Sequence, residues 1–172
     1  SGIERVRILC PAFRPEVLSG FFPEVERYRV KGPVDIDILK NIDSDWQLSL
    51  SSLKLDLPSL PGTQINNLSA SLKNLAGNIS ALGGFDLAGS LAPSLGMRFD
   101  LDLVQKENST PVFDLTLENK AVETIALVSS SQGIRFDRPH FLFSLKGDLT
   151  RQTGNFLMGC QNFMAAQGKE TL

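Results

Sequence analysis

Between Asp45 and Leu91 the chain places an apolar residue at nearly every second position. Trp46-Gln-Leu-Ser-Leu50, Leu53-Lys-Leu-Asp-Leu57, Leu68-Ser-Ala-Ser-Leu72 and Phe85-Asp-Leu87 all alternate apolar with polar or small residues. A period of two is the period of a β-strand, whose successive side chains point to opposite faces. Such segments collect Leu and Phe on one face and Ser, Asp and Lys on the other. The phase changes once within the first run, since Trp46, Leu48 and Leu50 are even and Leu53, Leu55 and Leu57 are odd. A one-residue slip sends every later leucine to the wrong face. The spacing therefore predicts a β-bulge at Ser51-Ser52, which absorbs one extra residue and bends the strand.

The same period extends over the rest of the chain. Ile3 to Leu9 reads as a strand ended by Cys10-Pro11. Phe13, Val17, Leu18, Phe21 and Phe22 recur at helical spacing, so one short helix is expected over about 14–22, its apolar side plugging an end of the sheet. Val34, Ile36 and Ile38 alternate with aspartates; Asn74 to Gly84 reads as a loose, glycine-containing link. Met97 to Val104 and Phe113 to Leu117 form the clearest hairpin, joined by a polar turn from Lys106 to Pro111. Asn119-Lys120 reads as a tight turn, Val122 to Val128 as a returning strand, and Phe156 to Met164 fits strand or helix equally. The expected fold is mainly β, an antiparallel meander of about ten strands with one short N-terminal helix. Its sheet is either curled into a half-open groove or closed as a sandwich. No helix falls between successive strands, which argues against a parallel α/β sheet.

The 172 residues suffice for a single β-rich domain spanning 1–172. Hydrophobic residues at 42% and charged residues at 21% exclude a disordered composition. Seventeen basic and 19 acidic residues leave a net charge of -2 with no Lys/Arg cluster, so there is no footprint for nucleic acid. Cys10 and Cys160 make no metal or redox spacing and read as two buried free thiols, with a disulfide as the alternative. The chain begins Ser1-Gly2 without Met, so a processed chain or an excised piece of something longer is expected.

Catalytic signals are absent from the motif repertoire. His140, the single histidine, follows Pro139 with no nucleophile motif beside it and reads as a surface or capping residue. No phosphate-binding glycine loop, nucleophile elbow or zinc-protease helix motif occurs. Asp35/Asp37 and Asp100/Asp102 are pairs two apart; they could ligate a hard cation but read as charges on the solvated face. Asn67, Asn78 and Asn108 open Asn-x-Ser/Thr triplets that fit chance in an Asn- and Ser-rich chain. The expectation is a non-enzyme with no metal and no cofactor. What remains is apolar surface. Leu48, Leu50, Leu55, Phe85, Leu87, Phe99, Leu101, Phe113, Leu115, Phe141 and Phe143 are the candidate contacts for lipid acyl chains if they share one open face, which would need a lipid, a partner or neighbouring repeats to cover it.

Two phrases carry a family resemblance. Arg29-Val-Lys-Gly-Pro-Val-Asp-Ile-Asp37, after Leu18 and Phe22, resembles a unit of AsmA-like proteins. So does Ile65-Asn-Asn-Leu-Ser-Ala-Ser-Leu72 followed by Gly84-Phe-Asp-Leu-Ala-Gly-Ser-Leu91. The resemblance covers residues 14–104; TamB, the bridge-type lipid-transfer proteins and the N component of type II secretion are similar. It implies a long sheet curled into a lipid-conducting groove, anchored in the bacterial inner membrane and reaching into the periplasm. It also implies work in moving phospholipid for outer-membrane assembly and cell-envelope maintenance, without catalytic residues. This chain is then a fragment of a longer, repeat-like protein. The alternative function is a structural or protein-interaction β-sandwich of an envelope or secretion complex.

Overall fold

Hairpins follow one another along the chain with almost no other structure between them. The computed structural model describes residues 5–41, 45–60, 62–89, 94–105, 110–128, 132–148 and 151–167. Strand β1 (Arg5–Phe13) leads through a 3-10 turn (Pro15–Leu18) and helix α1 (Pro23–Arg27) to β2 (Val34–Asn41) and β3 (Trp46–Asp56). Next come β4 (Gln64–Leu75), β5 (Asn78–Ala88), β6 (Leu95–Val104) and β7 (Val112–Asn119). The last five strands are β8 (Thr124–Val128), β9 (Gln132–Asp137), β10 (His140–Gly147), β11 (Gln152–Gly159) and β12 (Asn162–Gln167). Nine form one antiparallel sheet in the order β1-β2-β3-β4-β5-β6-β7-β10-β11; β12, β9 and β8 form a second. The large sheet does not close, so the sandwich alternative is set aside.

The two sheets are one ribbon with a break in it. β10 pairs with β11 from His140↔Gly159, and β9 pairs with β12 from Asn162↔Asp137, so both ladders belong to a single long hairpin. It is interrupted only at Arg138-Pro139 and Cys160-Gln161, where Arg138 has a φ of 47°. Asn119 sits at this break and is 4% exposed. Its Nδ2 donates to the Pro139 carbonyl at 2.9 Å, and its Oδ1 accepts from the Phe141 N–H at 2.6 Å. Asn119-Lys120 is therefore not a hairpin turn, and β8 does not return along β7. It runs on past the break to pair with β9.

The bulge at Ser51-Ser52 is present. The β3–β4 register shifts between Leu50 and Leu53, and Ser52 has a φ of 65°. It has company: β4 shifts at Asn67 (φ 53°) and β1 at Ala12 (φ 53°). Side chains hold both, Asn67 Nδ2 donating to Asp86 at 2.8 Å and Asp35 accepting from the Ala12 N–H at 2.9 Å. Extra residues at neighbouring points bend the strands and sharpen the sheet's twist.

Several sequence expectations give way. β1 continues through Pro11 to Phe13, because an edge strand tolerates a residue that cannot donate. Asn74 to Gly84 is no loose link: the chain turns at Ala76-Gly77 and β5 runs straight through Gly83-Gly84. Phe156 to Met164 is strand on both sides of the break. The single helix over 14–22 is instead a 3-10 turn and a later α1, each opened by a proline, Pro15 and Pro23, at its first position. It plugs nothing, since Val17, Phe21 and Phe22 are 65%, 80% and 55% exposed. Leu91, Asn108 and most of the turn before Pro111 lie outside the described residues.

Candidate functional site

Ladder registers assign every side chain of the large sheet to a face. Ile38, Leu48, Leu72, Ala81, Leu101, Leu115 and Leu145 lie opposite one another across seven consecutive strands. The next row holds Cys10, Ile36, Leu50, Ala70, Gly83, Phe99, Leu117, Phe143 and Phe156. Leu55, Ile65 and Leu87 extend the same face beyond the bulges, and the same register puts Phe85, Phe113 and Phe141 on it. All eleven candidate contacts thus share one face, and all eleven are half-buried.

The opposite face is built from the alternate residues. One of its rows reads Asp37, Ser49, Ser71, Leu82, Asp100, Thr116, Ser144 and Asn155. Arg7 grips Asp37 with two hydrogen bonds of 3.0 and 2.7 Å, which hold the Asp37 carboxyl below its ordinary range. Lys146 pairs with Asp114 at 2.6 Å. His140 lies here too, 3.6 Å from Glu118 and exposed to solvent, as a surface histidine should be. Asp100 and Asp102 sit exposed on this face, and Asp35 supports the Ala12 bulge. No group of three or more His, Cys, Asp or Glu residues lies together among the described residues.

Among the described residues no element crosses the apolar face as a second layer; apart from α1 against the 3-10 turn, close backbone approaches run between hydrogen-bonded strands. No large side chain is fully buried among the described residues, and the core is limited to a few such as Val34, Ala81, Ile125 and Phe136. Cover comes from within the face. The Phe99 ring lies over Gly83 of the next strand, where an added Cβ would come within 2.5 Å of it. Phe85 and Phe99 lie 6.5 Å apart. At the break the face turns onto the small sheet: Phe141 meets Phe136 edge-on at 6.5 Å, and Phe136 meets Phe163 at 5.4 Å. At β1–β3 a hollow of about 370 Å3 is lined by residues that include Cys10, Ile36 and Leu50.

Polar residues on the apolar face sit at its ends. Lys40, Trp46, Asn74 and Gln152 belong to the outermost row at one end, and Asn119 marks the other. Lys40 is the one charged side chain that register places there among the described residues. Asn74 Oδ1 is buried and without a hydrogen-bond partner. Neither end was legible in the sequence, because a Lys or Asn at the right parity reads as an error in the pattern.

The cysteines are free but not buried: Cys10 is half-buried and Cys160 exposed. Cys10 lies in β1 at one edge of the open sheet, and Cys160 follows the end of β11 at the other. No helix of the described residues is long and apolar enough to cross a membrane. No protein-family model, curated protein or solved structure matches the chain.

Proposed function

We propose that the open apolar face holds the acyl chains of phospholipids or fatty acids, and that the protein is a non-catalytic, AsmA-like groove module of the bacterial envelope. One observation carries the reading. Eleven Leu and Phe residues from five strands share a single face that no second layer covers among the described residues, while charge, Lys40 at one end apart, is kept to the other face. A soluble chain rarely leaves so much contiguous apolar surface without an occupant. At about 25 cal/mol per Å2 of apolar surface, a laid-down acyl chain is held without specific contacts. Lys40, Trp46 and Asn74 at one end give a headgroup polar company while the tail lies across the strands. The AsmA-like phrases supply the setting: a periplasmic position facing from the inner membrane, a longer membrane-anchored protein, and phospholipid passing toward the outer membrane.

The test is extraction of the purified protein with organic solvent followed by mass spectrometry, together with uptake of a fluorescent fatty acid. Stoichiometric phospholipid, and dye displaced by added lipid, are expected. A protein that carries no lipid and takes up no dye overturns the reading.

A further inference from the structure

The two edges of the sheet are built differently. β1 carries Arg5 and Arg7, a proline at 11 and a bulge at Ala12, all devices that block strand addition. The other edge, Gln152–Gln167 along β11 and β12, contains no Lys, Arg, Asp, Glu or Pro. Both strands present their unpaired backbone groups on the same side, since β10 and β9 occupy the inner one. Phe156, Leu157 and Phe163 there are 65%, 61% and 58% exposed. An edge that is long, uncharged and apolar templates pairing with another strand.

The edge is also close to self-complementary. We propose that it pairs antiparallel with the same edge of a second copy, giving a two-fold dimer. Full overlap puts the axis between Gly159 and Cys160. Gln152 then faces Gln167 of the second copy, and Phe156 faces its Phe163. Phe156 is on the apolar face, and Phe163 belongs to the cluster that continues that face. A two-fold perpendicular to the sheet keeps each face on its own side, so the apolar surface runs on across the junction. Having no charge, the edge meets no repulsion from its own copy. The guarded β1 edge disfavours the head-to-tail alternative. The inference stands whether or not the face binds lipid.

Sedimentation equilibrium tests it, the expected mass being twice the 18.8 kDa of the chain. Leu157 faces Asn162 of the second copy, so Leu157→Lys with Asn162→Lys should weaken the dimer at least tenfold. Leu157→Glu with Asn162→Lys should restore it, which separates register-specific repulsion from misfolding. Diamide, which accepts the two thiol hydrogens as one S–S bond forms, should cross-link wild type through the two copies of Cys160. Cys160→Ser should abolish that product and Cys10→Ser should keep it. A monomeric wild type, a mass that grows past two copies, or equal behaviour of the two charge pairs overturns the proposal.

Discussion

Ser71 and Leu72 are neighbours in β4 and end up on opposite faces, one in the row that runs through Ser49 to Asp100 and Thr116, the other in the row that runs through Leu48 to Leu101. The comparison extends over the whole large sheet. One backbone, with one set of ladder hydrogen bonds, carries a face of Leu and Phe and a face of Ser, Asp and Lys. The faces also differ in how they are stabilised. The polar one holds exposed pairs such as Arg7–Asp37 and Lys146–Asp114, each worth little alone. The apolar one shields itself sideways, ring over glycine and leucine against leucine, and reaches half-burial without a second layer. The backbone ladder alone thus does not account for the division; side-chain parity does.

Five substitutions press on that difference. Leu101→Glu puts a charge between Ala81 and Leu115, which flank Leu101 in the ladders. It should cost about 3 kcal/mol in urea unfolding and abolish the proposed fatty-acid uptake, whereas Asp102→Ala next door should change stability by less than about 0.5 kcal/mol. Equal costs would show that the faces are not distinct. Asn119→Ala leaves the Phe141 N–H and the Pro139 carbonyl unpaired at the break; about 1–3 kcal/mol should be lost, read by the denaturation midpoint. Ser52→Gly relieves a left-handed residue at the bulge and should gain about 0.5–1 kcal/mol, seen as a raised melting temperature. The smallest effect is on the polar face. The Asp37 carboxyl is lowered in the folded protein, so its contribution is complete above the ordinary aspartate value and is lost as pH falls through the lowered one. Asp37→Asn should flatten that acid limb slightly, as measured by unfolding at a series of pH values.

Parity was legible because leucine is abundant and its phase is countable. That phase gave the strands, the shared face of the eleven candidates and the Ser52 bulge. The Asn67 bulge had the same signal, Ile65 to Leu68 being three apart, together with a residue that tolerates the left-handed region. The break at Asn119, Arg138-Pro139 and Cys160-Gln161 was hidden, because it joins three strands that are distant in sequence. Pro23 is a different case: it lies just past the helix expected over about 14–22, while in the protein it opens α1. The uncharged run from Gln152 was on view from the start, but its meaning depends on β11 lying outermost, which only strand order reveals.

The extra residue at Ser52 works like a frame correction in a spatial code. Leu53 and Leu55 count odd where Leu48 and Leu50 count even, and the bulge brings both sets back into frame. Removing Ser52 alone would erase the bulge and its bend yet leave Leu53 and Leu55 on the apolar face, whereas removing Ser51 as well would invert everything after them in β3. Insertions and deletions in such a protein should therefore be sorted by whether their length is even or odd in the regular stretches, and by whether they remove the extra residue at a bulge.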